Sequence, residues 1–155
     1  MSAVISRDTA ARVFVYGTLK RGLVNFPAMQ GVGIERIEKA VLRGVVLYQF
    51  PNSGRPYPYP ALMRGQGAVL GELHTLSNHL EPLDALRVLD HVELEGYEYQ
   101  RVPCWVTVRG SRVRAWVYLY NSLSKLHRQK ARRSSRVSWQ PSSRHSPRAD
   151  ETVRL

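Results

Sequence analysis

The chain has 155 residues, enough for one domain with a core that needs no staple, and its single cysteine, Cys104, excludes an intramolecular disulfide and a cysteine-rich metal centre. No apolar run approaches the roughly 20 residues of a membrane-spanning helix, and the segment before Arg12 carries Arg7 and Asp8 where a signal peptide needs an apolar stretch; a cytoplasmic, unprocessed protein with no membrane partner is expected. The net charge of +11 is unevenly placed: residues 1–121 hold 14 Lys and Arg against 10 Asp and Glu, whereas residues 122–155 hold 9 against 2.

After an N-terminal extension over residues 1–11, Val13, Phe14, Val15 and Tyr16 form a β-branched and aromatic run, the composition of a buried strand. Gly17 and Thr18 end it abruptly. A glycine there frees the backbone and lets a ligand approach the main chain, so the amides of Gly17, Thr18 and Leu19 are candidates to converge on one anionic oxygen. The alternative is an ordinary exit from a strand into a loop. Residues 27–30 read as a helical turn, and residues 40–48 as a strand in which Gly44 marks a bulge or a close approach. Four prolines between Phe50 and Pro60 exclude a central strand and predict a loop. Extended structure resumes at Ala61, Leu62 and Met63, and residues 68–75 read as a further strand.

From residue 78 to 92 the period changes. Leu80, Leu83, Leu86 and Leu89, with Val88 and Val92, recur at three- and four-residue steps, predicting an amphipathic helix with Pro82 in its first turn and Gly96 as its stop. His79 and His91 lack paired ligands and read as surface or cap residues. Residues 97–108 then alternate with period two, Arg109, Gly110 and Ser111 make a hairpin turn, and residues 112–120 return. Val113, Ala115, Val117 and Leu119 share one face of that strand, and Arg114, Trp116, Tyr118 and Tyr120 the other, both expected to be covered. Cys104, at mid-strand without a histidine partner, reads as core. Strands thus dominate over one good helix, which predicts a small α+β domain over residues 12–121 with a curved, largely antiparallel sheet.

Residues 122–155 have eight serines, two prolines and few large apolar side chains. Burial there is not expected to offset the entropy of ordering, so the segment reads as a disordered basic tail, at most transiently helical over residues 123–131, with Trp139 standing alone. Its removal after Tyr120 is expected to leave a folded domain. Weak, salt-dependent nucleic-acid contact is the partner that its charge admits; the alternative is a solvated appendage.

Several of these segments carry a resemblance. Tyr16-Gly17-Thr18-Leu19-Lys20-Arg21-Gly22, followed by Asn25, resembles the YG(S/T)L loop with its LxRG and Asn continuation in the γ-glutamylcyclotransferase-like (AIG2-like) family. Val69-Leu70-Gly71-Glu72-Leu73 resembles its GEL strand, with His74 where tyrosine is usual. Leu89-Asp90-His91-Val92-Glu93 resembles its LDxxE element, and Tyr99-Gln100-Arg101 the YxR that opens the next strand. The resemblance spans about residues 12–120, in the family's order, and in motif detail is nearest to the γ-glutamylamine cyclotransferases. It implies a small mixed, largely antiparallel β-barrel flanked by helices, a catalytic carboxylate on Glu93, and substrate contacts from Tyr16, Gly17, Thr18, Leu19, Asn25 and Tyr99, without metal or cofactor. Here Glu93 is followed by Leu94 where the family often has glycine, so Glu95 and then Glu98 stand behind Glu93 as candidates.

The chemistry implied is intramolecular. The α-amine of a γ-glutamyl compound attacks its own side-chain amide carbonyl, closes 5-oxoproline and expels an amine. The protein need supply only a folded-back pose, a base that later acts as acid, and donors for the oxyanion. A partly buried Glu93, its pKa raised by desolvation, would be that base, and the loop amides would hold either the α-carboxylate or the oxyanion. Two other readings remain, a non-catalytic binder of a small carboxylate and a nucleic-acid-associated protein led by its tail.

Overall fold

The computed structural model describes residues 11–50, 60–93, 99–120, 122–128, 131–134 and 138–139. Its first strand, β1 (Arg12–Val15), is only four residues long, yet it sits between two others. It pairs antiparallel with β3 (Pro60–Leu76), through Phe14 opposite Leu73, and parallel with β5 (Ser111–Tyr120), through Val13 opposite Trp116. Val13, Phe14 and Val15 are all buried, which is why this run carries no polar alternation.

Strand β2 (Ile34–Gln49) pairs with β3 from Ile34–Leu76 to Gln49–Pro60, and with β4 (Tyr99–Val108) at Val41–Thr107 and Leu42–Val106. Strand β4 returns as β5 through a two-residue turn at Arg109 and Gly110, both at positive φ (52° and 79°), the mirror-image geometry that matches strand twist. The pairings close a ring, β3-β1-β5-β4-β2 and back to β3. The expected barrel is therefore a closed ring of mixed, mostly antiparallel strands rather than a regular barrel.

Two stretches expected as separate strands, 61–63 and 68–75, are one strand, β3. The bulge expected at Gly44 reconciles them: Gly44 has φ +81°, the register shifts between Arg43 and Val45, and Gly67 across the ladder brings its backbone so near that a Cβ would lie 2.7 Å from the Val45 carbonyl oxygen. The bulge absorbs the polar Arg64–Gly67 stretch without ending the strand.

Alternation sorts the core into two clusters. Phe14, Leu42, Leu73, Val106, Val117 and their strand neighbours fill the ring. Val13, Val15, Tyr99, Tyr118 and Tyr120 face outward and are covered by α1 (Phe26–Val32), α2 (Pro82–Glu93) and α3 (Leu123–Arg128). Both faces of β5 are covered, as its pattern predicts. On α2 the buried stripe is Ala85, Leu86 and Leu89, whereas Leu83 and Val88, expected on it, are exposed at 61% and 43%. Steps of three fall short of a full turn, so the run 83, 86, 89 drifts around the helix and only part of it meets the sheet.

Among the described residues 122–128, 131–134 and 138–139, the segment expected to bury little carries two fully buried side chains. Ser122 Oγ accepts the Lys125 amide at 3.1 Å at the start of α3, Leu126 is fully buried among the helices, and β6 (Arg132–Arg133) adds to β2 at Gln49 and Tyr48. Trp139, 1% exposed, plugs the ring interior. Mean composition hid this because two well-placed large side chains, not an apolar average, anchor the segment. Residues 51–59 and 140–155, with the loop and the rest of the tail read there, lie outside the described residues.

Candidate active site

The chain leaves β1 at Tyr16 and turns at once, the Lys20 amide donating to the Gly17 carbonyl at 3.0 Å, so that Thr18 and Leu19 occupy the centre of a β-turn. Asn25 clasps the turn twice: its amide donates to the Thr18 carbonyl at 2.9 Å and its Nδ2 to Thr18 Oγ1 at 2.8 Å. With Thr18's acceptors held by Asn25, the amides of Gly17, Thr18 and Leu19 have no acceptor among the described residues. The three residues lie in the wall of a narrow cleft.

Glu93 lies in the same wall, half-buried at the last turn of α2. One turn earlier, Asp90 takes a forked pair from Arg101, Nε at 2.7 Å and Nη2 at 3.2 Å, and accepts the Tyr118 hydroxyl at 2.6 Å. Arg101 also stacks on Trp116, 4.3 Å from its ring centre. Three-residue spacing puts Asp90 and Glu93 on one helix face, and the fork from β4 fixes where that helix ends against the sheet. Burial pushes the Tyr118 hydroxyl far above the tyrosine range; the hydrogen bond to Asp90 and the charges of Asp90 and Glu93 push the same way, against Arg101. Tyr118 is therefore a permanent donor beside Glu93.

Of the seven residues expected at the site, six line this cleft: Tyr16, Gly17, Thr18, Leu19, Glu93 and Tyr99. Asn25 does not, and acts on the turn from behind. The two tyrosines are held by their hydroxyls, Tyr16 donating to the Tyr118 carbonyl and Tyr99 to the Pro60 carbonyl, each at 2.6 Å. Phe14, Val15, Pro60 and Tyr118 complete the cleft, and sequence reading gave none of them a role there. The available cue was the charge pair of Asp90 and Arg101, letters of the LDxxE and YxR motifs that were given no role of their own. Glu95 and Glu98 lie outside the described residues. No group of three His, Cys, Asp or Glu suited to a metal occurs among those described.

Gly17 is needed for a reason other than an unusual backbone angle, since its φ is not positive. An added Cβ would lie 2.7 Å from Pro60 Cγ, in a cleft with about 10 Å³ of interior space. Gly17→Ala is thus expected to press Pro60 across the cleft and to cut kcat/KM at least tenfold with a small change in Tm. Gly22→Ala is the contrast: at φ +83° with open space around it, it should show backbone strain of about 1–2 kcal/mol in unfolding and near-normal activity. Equal activity losses from both would remove the cleft from the explanation. A second outcome concerns Tyr118→Phe, which deletes a hydrogen bond to a partly buried carboxylate and should cost about 1.5–3 kcal/mol in urea unfolding.

The model of a family described as γ-glutamyl cyclotransferase, AIG2-like, matches residues 13–141. Among solved structures, an AIG2-like protein from Mus musculus superposes with a TM-score of 0.62 at 24% identity, covering 90% of this chain and 97% of that one. A protein from Arabidopsis thaliana gives 0.51 at 24% identity, covering 77% and 83%. Allophanate hydrolase from Kluyveromyces lactis gives 0.56 at 17% identity, where 81% of this chain covers 19% of that one. No curated protein matches the sequence. These structures share the fold, and the family match extends past Trp139, the residue that plugs the ring. The chain belongs to the γ-glutamyl cyclotransferase, AIG2-like family.

Proposed function

We propose that this protein cyclises a γ-glutamyl compound, releasing 5-oxoproline and an amine or amino acid. The observation that carries the reading is that Glu93 and the Gly17–Thr18–Leu19 turn line one cleft, from segments more than 70 residues apart. Glu93 takes a proton from the substrate ammonium. The freed amine attacks the side-chain amide carbonyl, and the carbonyl electrons move onto oxygen. The tetrahedral species collapses as Glu93 gives its proton to the leaving nitrogen and the carbon–nitrogen bond to that amine breaks; Glu93 then takes the second proton from the new ring nitrogen and passes it to the amine, which leaves as an ammonium ion. The loop amides hold an oxygen that is anionic throughout, the α-carboxylate, or becomes so, the oxyanion. Tyr118 donates to Asp90 and helps to hold the helix turn that carries Glu93.

The substrate favoured is a γ-glutamylamine, on the strength of the TLKRG, Asn25 and YQR details. The chemistry asks for no cofactor, and a cytoplasmic setting suits it. Incubation with a panel of γ-glutamylamines and γ-glutamyl amino acids, with 5-oxoproline as the readout, tests the reading. Release from at least one member supports it. Saturable binding of the panel without release would make the protein a carboxylate binder instead.

A further inference from the structure

A second cavity, of about 480 Å³, opens between the middle of β2 and β3, the β4–β5 turn and Ser138, and the cyclisation chemistry uses none of it. Its size falls within the range of small-molecule sites. Lys20, Lys39 and Arg109 line it against the single carboxylate of Glu72, so its field is positive.

The distribution of partners sharpens this. Lys20 is 6% exposed, and its ammonium donates to the Trp139 carbonyl at 2.6 Å and approaches Ser138 Oγ at 3.4 Å. Among the described residues no carboxylate lies within ion-pair distance of it. Burial accordingly pulls its pKa down, with Glu72 opposing from farther off. Glu72 is itself engaged: one of its oxygens accepts the Arg21 amide at 2.8 Å and meets His74 Nε2 at 2.9 Å. Burial raises its pKa, yet these bonds and the charges of His74 and Lys20 outweigh that and leave it lowered. Arg109 lies 3.8 Å from Glu38 and is 85% exposed, a weak pairing that an incoming anion would compete with. A buried cation with no carboxylate in ion-pair distance among the described residues is costly, and here it borders a cavity with two more cations at the rim.

We propose that this cavity is a binding site for a small multiply charged anion, one bearing two or more carboxylate or phosphate groups. One anionic group would approach Lys20 at the floor and a second would bridge Lys39 and Arg109. The Thr107 and Ser138 hydroxyls and the Gly110 amide, at the open end of its turn, are donors in reach of such a ligand. Val41 and Leu70 offer its carbon skeleton an apolar wall, and Leu70, 44% exposed, is left uncovered by the fold. Lys20 directly follows Leu19, so occupancy would brace the turn of the catalytic cleft from its far side.

Titration of the full-length protein with pyrophosphate and with citrate, by calorimetry and by amide chemical shifts, tests this. At least one of the two should bind saturably and shift Leu70, Gly71, Thr107 and Gly110, and the preferred one names the anionic group. Lys39→Ala with Arg109→Ala alters only rim residues, should fold normally, and should weaken binding at least tenfold. Glu93→Gln should leave the affinity unchanged, which separates this site from the cleft and its fate from that of the cyclisation reading. No saturable binding of either probe, an affinity unaltered by the rim double variant, or shifts confined to Gly17, Thr18 and Tyr99 would overturn the proposal.

Discussion

Glu93→Gln is expected to turn over substrate about 10²–10⁴-fold more slowly while folding and binding normally. The amide keeps the shape of the carboxylate at the last turn of α2 and loses the proton acceptor. Asp90, with Arg101 and Tyr118, ties the same helix end to the sheet and is untouched by the change. The loss should therefore fall on kcat, with KM close to that of the native protein, and with urea unfolding unchanged. Glu95→Gln, measured beside it, guards the register. If that variant loses turnover and Glu93→Gln does not, the base has been placed two residues too early.

The largest structural effect is expected from removal of the residues after Tyr120. Their composition predicts a dispensable tail, but the fold places Leu126 and Trp139 in its two cores. Loss of Trp139 alone leaves a hole in the ring, and Trp139→Ala should cost about 3–5 kcal/mol. Losing Leu126 as well adds about 2–5 kcal/mol, so the two together approach the whole stability of a domain this size, about 5–15 kcal/mol. Truncation after Tyr120 should consequently abolish a cooperative unfolding transition. It should also cost activity in any fraction that stays folded, since the Lys20 ammonium, one residue from the cleft turn, loses the carbonyl that it bonds. A truncated chain with native Tm would show that the segment is docked but not needed.

The elements were legible where a local pattern decides them. The apolar run at Val13, the alternation through β4 and β5, the glycine turn at Arg109 and Gly110, and the helix ending near Glu93 each follow from periodicity and turn chemistry acting over a few residues. The order of motifs around them carried the family. Tertiary structure alone decided which residues met. That Gly17 is small because Pro60 crosses it, that Tyr99 spends its hydroxyl on the Pro60 carbonyl, and that Asn25 serves the turn from outside the cleft all depend on contacts across 7 to 43 residues of sequence, to which no period points. The same holds for Trp139. A polar, arginine-rich stretch is judged by its average when read along the chain, but the energy of docking it is set by one indole entering one gap, and the gap exists only once five strands have closed around it.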